Sequence, residues 1–482
     1  MTSRYDHAQA PASMRDEVKV LALAEPVSTQ NSESSQSQTI PEQKEEKLRD
    51  PFDEADDASV SCGDIKFKSL KWWQCGMIMI AETVSLGILS LPSVLATVGL
   101  VPGFILIVAM GILASYSGYT IGQFKQRYPN VQSMADAFEI LCTPLGCPRF
   151  GKEFGGAAQT LFLVFSMGSH ILTWVICFNA VTDDAVCNIV WGVIALCVFW
   201  LFDLPRTLKN MSHLAIISFF SIVIAVIITM IAVGIQEPGT GSNHYTLWPP
   251  ANKPVAFWKA FLSVTNIVFA YAGHVAFFGF ISELKDPKDF PKALALLQVC
   301  DVTMYIIVAV VVYRYGGIDV ASPALGAAGP LVKKIAFGIA IPTIVIAGVI
   351  YGHVAAKYVY IRIYGAKALA KKTWRASLRW AAITGLLWIV AFIIAESIPS
   401  FNDLLGVVSS LFASWFTYGV SGIFWLFINK GKWFITRSKA FLTLVNWLII
   451  VLATTICGVG LYASGMAINE NSGQGGAWSC NS

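Results

Sequence analysis

Ionisable side chains inside long apolar stretches are the residues of this sequence best suited to chemistry. Glu82, His274 and Asp301 each lie in such a stretch. Near the centre of a bilayer a charged side chain costs at least about 2.5–3.5 kcal/mol, so such residues usually mark a pathway for ions or solutes. We predict that Glu82 binds and releases a proton, with His274 as the second candidate and Asp301 as the third. The alternative is that these groups are buried and hydrogen-bonded for structural reasons.

The position of Glu82 supports this order of preference. It follows the Trp72-Trp73 pair, which is typical of a membrane interface, by about ten residues, or about 15 Å along a helix. It also precedes Ser85 by one helical turn and lies on the same face. We therefore expect Glu82 near the middle of the bilayer.

Two stretches near these residues are poor helix formers. They are Ser85-Leu-Gly-Ile-Leu-Ser-Leu-Pro92 and Asn266-Ile-Val-Phe-Ala-Tyr-Ala-Gly-His274. In a helix interior Gly costs about 1 kcal/mol and Pro about 3 kcal/mol. Because lipid offers no hydrogen-bond partners, backbone that opens at this depth must face protein, an ion or a bound solute. We predict that both helices are broken around one midplane site, although each Gly could instead serve close helix packing.

Composition indicates that the elements carrying these residues are membrane helices. Of 482 residues, 55% are hydrophobic and 13% are charged, and the mean hydropathy is +0.61, whereas soluble domains carry about 25% charged residues. Eleven apolar segments reach the roughly 20 residues that a spanning helix needs, although the limits of the fourth are uncertain. Their approximate bounds are 72–98, 100–124, 156–182, 186–203, 211–235, 257–282, 293–315, 332–360, 377–397, 402–428 and 438–465. The predicted fold class is therefore an all-α integral membrane protein with eleven transmembrane helices, of which the fourth is the shortest.

Basic residues predict the orientation. With a cytosolic N-terminus, the cytosolic loops hold 22 Lys and Arg residues and the outer loops hold 4, as the positive-inside rule requires. The odd number of helices then places the C-terminus outside. We divide the chain into a disordered cytosolic tail at 1–65, an eleven-helix domain at 66–466 and a short extracellular tail at 467–482. The polar N-terminal tail could bind regulatory factors or could be inert.

Two smaller features complete the layout. Apolar side chains at helical spacing predict a short helix at 131–142 on the cytosolic face. Of the ten cysteines, only Cys187 and Cys480 could face the outside, and we leave their pairing as an open possibility.

Several classes of protein are disfavoured. The formal charge of +4 gives no reason to expect a nucleic-acid partner. We find no Ser/His/Asp elbow, no His/Cys cluster with metal-ligand spacing and no phosphate-binding Gly-rich loop, so we expect neither an enzyme nor a metal site nor a cofactor.

The two weak helical stretches also carry a family resemblance. Together with Ile281-Ser-Glu-Leu-Lys-Asp-Pro-Lys-Asp-Phe-Pro291, they resemble the amino acid/auxin permease family, and most of all its fungal neutral amino acid permeases of the methyltryptophan-resistance type. The resemblance covers about residues 70–465. It implies a carrier with ten helices in a five-plus-five inverted repeat plus one extra C-terminal helix, which moves amino acids with protons. We predict that this carrier lies in the plasma membrane.

A carrier of this kind needs groups for both charges of an amino acid zwitterion. A broken helix presents free N–H groups to the carboxylate and free carbonyl groups to the ammonium. We predict that the substrate lies between the two breaks, and that Tyr271 covers it or donates a hydrogen bond. His170, on a polar stripe of the third helix, is a further candidate for lining the pathway. The predicted substrate-binding residues are Ser85, Leu86, Gly87, Ile88, Leu89, Ala270, Tyr271, Gly273 and His170.

Three alternatives remain open at this point. The carrier could reside in the vacuolar membrane, because the charge bias would be the same there. Sodium could replace the proton, with hydroxyl groups such as that of Thr343 contributing to its site. A third possibility is a sensor that binds an amino acid without transporting it.

Overall fold

The computed structural model describes residues 50–51, 66–236, 245–249, 255–398, 400–471, 478 and 480, with the side chains of 208–210 left out. The predicted tail at 1–65 therefore lies outside the described residues, apart from Asp50 and Pro51. Of the predicted C-terminal tail, only 467–471, Trp478 and Cys480 are described.

The described chain is helical, and its only β pairing there is one parallel bridge between Leu70 and Leu284. Fifteen α-helices follow one another: α1 Trp72–Val98, α2 Leu100–Arg127, α3 Met134–Cys142, α4 Pro148–Thr182, α5 Asn188–Phe202, α6 Leu208–Ile235, α7 Phe257–Ala270, α8 Phe277–Glu283, α9 Phe290–Gly316, α10 Pro330–Tyr364, α11 Ala366–Ala370, α12 Trp374–Ser397, α13 Phe401–Val408, α14 Val420–Ile428 and α15 Arg437–Asn471. The short helix predicted at 131–142 is confirmed as α3, whose N-cap residue Ser133 accepts a hydrogen bond from the Asp136 N–H.

These helices form eleven spans. Ten spans in the described chain are long and apolar enough to cross a bilayer, and α5, with 15 residues, is a shorter apolar helix. The sixth span consists of α7 and α8, and the tenth runs from α13 through α14. We call the side where α1 begins the N face and the opposite side the C face.

The short α5 must still carry the chain from one face to the other. Gln74, near the start of α1, donates a hydrogen bond to Ser212, near the start of α6, so both helices begin at the N face. Cys177, near the end of α4, donates to the carbonyl of Phe337, near the start of α10. Because α4 ends at the C face and α6 begins at the N face, α5 is the fourth span, as the sequence predicts.

Each of the first four spans packs against the span that comes five positions later in the chain. The first span contacts the sixth, the second contacts the seventh, the third contacts the eighth, and the fourth contacts the ninth. This pairing fits the predicted arrangement of five plus five spans. The eleventh span, α15, packs against α7 and against the tenth span.

The break predicted in the first span is wrong, because α1 is one continuous α-helix with Pro92 inside it. Hydroxyl groups stabilise the backbone around the proline: Ser90 Oγ donates to the Gly87 carbonyl at 2.9 Å, and Ser93 Oγ donates to the Ser90 carbonyl at 2.7 Å. Pro removes only one helical hydrogen bond. The surrounding helices bury nearly every residue from Gln74 to Leu95, and this packing outweighs the low helix propensity.

The break predicted in the sixth span is confirmed. The helix α7 ends at Ala270, residues 271–273 form a turn, His274–Ala276 form one 3₁₀ turn, and α8 begins at Phe277. The tenth span departs from α-helical geometry in a way that the sequence did not predict. Its segment Ser409–Gly419 is a π-helix, and this segment contacts the 3₁₀ turn of the sixth span. Local π-helical turns are frequent at functional sites.

Both ends of the bundle are tied by backbone hydrogen bonds. At the N face, the N–H of Leu70 donates to the Glu283 carbonyl at 3.0 Å and the N–H of Lys285 donates to the Leu70 carbonyl at 2.9 Å, so the chain before α1 is held to the chain after α8. At the C face, the N–H of Leu100 donates to the Thr246 carbonyl at 3.0 Å. Cys187 and Cys480 form a disulfide at this face, so the pairing left open above is present.

Candidate functional site

The first and sixth spans touch at the break. A Cβ atom added to Gly87 would lie 2.5 Å from the Cα of Ala270, the last residue of α7. A Cβ atom added to Gly273 would lie 2.6 Å from Cγ2 of Thr83. Only glycine fits at either position without a shift of its neighbour, so both residues serve the close approach of α1 to the break.

A tyrosine from α9 joins the two spans. The hydroxyl oxygen of Tyr305 lies 2.6 Å from the Ala270 carbonyl and 3.0 Å from the Thr83 carbonyl. A phenol has a single proton to donate, so it serves one carbonyl at a time. Its fully buried position makes Tyr305 the structural link between α1, α7 and α9.

Glu82 lies beside the break with its carboxyl group buried. Its side chain is 1% exposed, and neither carboxyl oxygen has a hydrogen-bond partner among the described residues. The oxygen Oε2 lies 3.4 Å from the position that a Cβ of Gly273 would occupy. Buried carboxyl groups are nearly always hydrogen-bonded, so a carboxyl group left alone in the interior calls for a proton, an ion or a solute as its partner.

A second carboxyl group approaches the same place from α9. The Oδ2 atom of Asp301 accepts a hydrogen bond from the Thr83 hydroxyl at 3.0 Å, whereas Oδ1 has no partner among the described residues. Asp301 is fully buried. Because Thr83 follows Glu82 in the chain, the structure brings two of the three predicted proton-binding residues to one small region.

The third predicted proton-binding residue, His274, lies in the 3₁₀ turn. Its Nε2 atom is 2.8 Å from the Ala114 carbonyl, and its Nδ1 atom is 3.2 Å from the Tyr271 carbonyl. A neutral imidazole has only one N–H group, so it can donate to one of these two carbonyl oxygens. A ring with a second proton would donate to both, and His274 therefore has the geometry of a proton acceptor.

The remaining predicted side chains surround this region. The Tyr271 hydroxyl donates to the Ile107 carbonyl of α2 at 3.0 Å. His170 of α4 contacts the Ile344 carbonyl of α10 through Nδ1 at 2.9 Å, and its ring packs against Tyr351 at 5.7 Å between centroids. Both side chains are buried. Tyr271 thus belongs to the break, whereas His170 is linked to Glu82 only through Tyr351, whose hydroxyl lies 3.4 Å from the Glu82 carbonyl. The polar atoms of Tyr271 and His170 are directed at the backbone of neighbouring helices.

The predicted stretch 85–89 lies opposite the break but is not unwound. Its side chains are all buried, and Ser85 Oγ has no hydrogen-bond partner among the described residues. Since α1 is continuous here, the free N–H groups expected at Ser85, Leu86, Gly87, Ile88 and Leu89 are not available. What this part of α1 offers a ligand is the Ser85 hydroxyl and the Glu82 carboxyl group.

A cavity of about 270 Å³ leads from the N face towards the break. It reaches Val275 and Ala276 of the 3₁₀ turn and the start of α8. Polar side chains from the start of α4, the end of α10 and the chain around α3 contribute to its lining, among them Gln132, Asp136, Lys152, Gln159, Lys357 and Arg362. The structure therefore has a partly polar approach to the break from the N face.

Sequence reasoning missed the two tyrosines and the threonine that bind this region together. Tyr305 lies four residues after Asp301 on α9 and so shares its face, which is a signal that could have been used. Thr83 adjoins Glu82, but nothing in the sequence pairs it with Asp301. Tyr351, whose hydroxyl lies 3.4 Å from the Glu82 carbonyl, had no signal of its own.

Comparison with known proteins gives the family. The family model described as transmembrane amino acid transporter protein matches residues 68–466. The N amino acid transport system protein of Neurospora crassa is 35% identical over 409 residues, which cover 83% of this chain and 86% of that protein. A transmembrane transporter of Gibberella moniliformis is 28% identical over 454 residues, or 91% of this chain and 94% of that protein.

The fold has a solved counterpart. A manganese transporter variant of Eremococcus coleocola covers 82% of this chain, and this chain covers 86% of it, with a TM-score of 0.52 and 13% sequence identity. At that identity the likeness concerns the fold alone, which is a LeuT-like bundle of helices. The family and its relatives indicate a membrane transporter and not an enzyme. A broken sixth span with buried carboxyl groups beside it is consistent with a carrier. The match of the family model over residues 68–466 shows that the chain belongs to the transmembrane amino acid transporter family.

Proposed function

We propose that this transporter moves neutral L-amino acids together with protons, from the C face to the N face of the plasma membrane. One observation carries the proposal: the carboxyl group of Glu82 is buried beside the break of the sixth span without a hydrogen-bond partner among the described residues. A proton that binds there removes the cost of a lone buried charge. Release of the proton towards the other face would then be coupled to the movement of the helices around the break.

The substrate site in this proposal lies at the break and no longer between two breaks. The substrate would bind the backbone groups at Ala270, Tyr271 and Gly273 by displacing their present partners, which include the Tyr305 hydroxyl. The α1 helix supplies the Ser85 hydroxyl. None of the side chains named around the break belongs to Lys or Arg. An acidic substrate side chain would therefore be buried there without a countercharge, which disfavours acidic amino acids.

The direction of transport rests on two further observations. The loops that the sequence assigns to the cytosol, where basic residues are in excess, lie at the N face. The disulfide between Cys187 and Cys480 is at the C face, and such bonds persist in oxidising compartments. Both support a cytosolic N face and an extracellular C face, and the relative named for N amino acid transport supports the substrate class.

The test compares wild type with Glu82→Gln in proteoliposomes. With an acidic solution at the C face, the wild type accumulates radiolabelled L-leucine or L-phenylalanine above equilibrium and carries protons with it. Glu82→Gln loses the accumulation but still exchanges labelled for unlabelled amino acid, because exchange needs no net proton movement. Glu396→Gln is the matched control, since Glu396 is a largely buried carboxyl group on α12, close to Gly192 of α5.

Other results would redirect the proposal. Undiminished accumulation in Glu82→Gln would remove Glu82 from the coupling and leave His274 and Asp301 to be tested in the same way. Accumulation that follows a sodium gradient and ignores the pH gradient would replace the proton by sodium. Binding of an amino acid without any flux would favour a sensor, and a tagged protein found on the vacuole would overturn the plasma-membrane assignment.

A further inference from the structure

Asp203 and His353 form a buried acid–base pair near the N face, away from the break of the sixth span. Asp203 follows the last residue of α5, and His353 lies on α10. Both side chains are fully buried, and Nδ1 of His353 is 3.9 Å from Oδ1 of Asp203. This separation is just longer than a hydrogen bond, so the two groups face each other without being joined.

The surrounding residues hold the carboxyl group of Asp203 in place. The indole N–H of Trp388 donates to Oδ2 at 3.0 Å, and the indole N–H of Trp380 donates to the Asp203 carbonyl at 2.9 Å. A Cβ atom added to Gly352 would lie 2.5 Å from Oδ2, so glycine leaves the space that the carboxyl group occupies. The other oxygen, Oδ1, has no hydrogen-bond partner among the described residues.

The imidazole of His353 has few polar contacts. The Pro205 carbonyl lies beside the ring, but neither ring nitrogen meets the geometry of a hydrogen bond within the described residues. The ring packs on Trp380 at 5.2 Å between centroids. Two buried polar atoms, Oδ1 of Asp203 and Nδ1 of His353, thus face each other without a hydrogen bond. Such pairs are rare in native proteins, and this one indicates a site that gains or loses a proton during function.

The charged groups around the pair come from three elements. Lys357 lies one turn after His353 on α10 and pairs with Glu283 at the end of α8. Lys152 of α4 lies on the wall of the N-face cavity, and α12 contributes the two indole groups. The charge of Lys357 acts on His353 although Lys357 is paired with Glu283, whereas Asp203 is the carboxyl group that faces the imidazole.

The N-face cavity provides access. His353, Val354 and Lys357 border it, whereas none of Glu82, Asp301 and His274 does. The cavity therefore ends at the His353 side of the buried pair, and a small movement of its wall would let a proton from the N face reach the pair without passing the break.

We propose that Asp203 and His353 form a second proton-binding site, which exchanges protons with the N face alone. One proton is shared by the two side chains, on Oδ1 of Asp203 or on Nδ1 of His353, and either arrangement permits one hydrogen bond between them. That bond ties the chain after α5 to α10. When the proton leaves to the solution, the pair of carboxylate and neutral imidazole carries a net negative charge in the interior, even where Nδ1–H still donates to the carboxylate. The cost of this charge favours entry of water from the cavity and separation of the two elements. The pH at the N face thereby sets how easily the cavity widens.

Infrared difference spectroscopy of the full-length protein tests the site itself, without need of transport. Raising the pH should reduce a carbonyl stretching band of a protonated carboxyl group, and Asp203→Asn should abolish that change. His353→Gln should shift the band, because the partner of the carboxyl group has changed. His213→Gln is the control, since His213 is an exposed histidine on α6. A spectrum that none of these changes alters would overturn the proposal.

Amino acid exchange tests the consequence, and this readout alone rests on the proposed function. In proteoliposomes with a known orientation of the protein, the exchange of L-phenylalanine should depend on the pH at the N face. The dependence should be lost in Asp203→Asn and in His353→Gln and kept in His213→Gln, with each variant eluting as a folded monodisperse protein. An unchanged N-face pH dependence in both variants would contradict the inference. Absence of exchange in the wild type would contradict the proposed function and leave the infrared result to decide on the site.

Discussion

Gly87 of α1 and Ala270 at the end of α7 touch through their backbones, with no room for a methyl group between them. This contact places a continuous helix against the opened turn of the sixth span. The polar groups around the turn depend on it, because Glu82 and Thr83 lie one turn before Gly87 on the same helix.

Gly87→Ala should destabilise the protein by about 1–3 kcal/mol, the usual cost of overpacking a buried contact. The added methyl group would push α1 away from Ala270, and transport should fall with stability. Thermal unfolding in detergent and exchange in proteoliposomes measure the two effects. The matched control is Gly338→Ala on α10, where an added Cβ meets nothing within 4 Å. Equal thermal stability of the two variants would mean that the contact between α1 and α7 does not contribute to the free energy of unfolding.

Tyr305→Phe should loosen the junction of α1, α7 and α9. The substitution keeps the ring but leaves the buried Ala270 and Thr83 carbonyls without the hydroxyl that serves them. Loss of a buried partner costs about 1–3 kcal/mol. The effect should appear as lower thermal stability and as slower exchange. Tyr315→Phe, at a half-exposed tyrosine on the same helix, is the control. If Tyr305→Phe behaved like this control, the hydroxyl group would have no role at the junction.

The disulfide between Cys187 and Cys480 joins residues separated by 293 positions. Alkylation of the denatured protein followed by mass measurement should show two more reactive thiols after reduction than before. The double variant Cys187→Ser/Cys480→Ser should show no such difference. Equal alkylation of the wild type with and without reductant would mean that the bond does not form in the purified protein.

Most of the fold could be predicted from the sequence, because the hydrophobic effect and the cost of burying charge in a membrane produce clear patterns of apolar and basic residues. The length and apolarity of the segments identify the spans, and the basic loops predict which face lies in the cytosol. The same reasoning located the sixth-span break at Gly273 but misplaced a break in α1. There the tertiary burial of the whole helix and the hydroxyl groups of Ser90 and Ser93 offset the effect of Pro92.

The site was harder to read, because its members come from distant parts of the chain. Glu82, His274 and Asp301 stood out as charges in apolar segments, and the structure places the first and last of them on either side of Thr83. Contacts such as Thr83 with Asp301 depend on the rotation of two helices about their axes, which a hydropathy pattern does not determine. The π-helical segment and the approach of Asp203 to His353 depend on the same tertiary detail.

Asp50 is the one charged residue of the N-terminal region that the structure describes, and it is buried. Its Oδ2 atom accepts a hydrogen bond from Lys125 Nζ at 3.0 Å, and its Oδ1 atom accepts one from Gln132 Nε2 at 3.2 Å. Asp50 is 3% exposed and Lys125 is 2% exposed, and Lys68 lies 3.8 Å from the same carboxylate. The ion pair therefore anchors residue 50 beside the N-face cavity, whose wall includes Pro51.

Removing one partner of such a pair leaves a buried charge behind, which costs about 3–5 kcal/mol when nothing else compensates it. Asp50→Asn should cost less than this upper range, because Lys125 keeps its hydrogen bonds to the Pro129 and Val131 carbonyls. The double variant Asp50→Asn/Lys125→Met should recover part of the loss, since it removes the orphaned charge. Thermal unfolding of the two single variants and the double variant gives the coupling energy directly. Additive effects would show that Asp50 and Lys125 do not stabilise each other, and residue 50 would then be held by Gln132 and its neighbours alone.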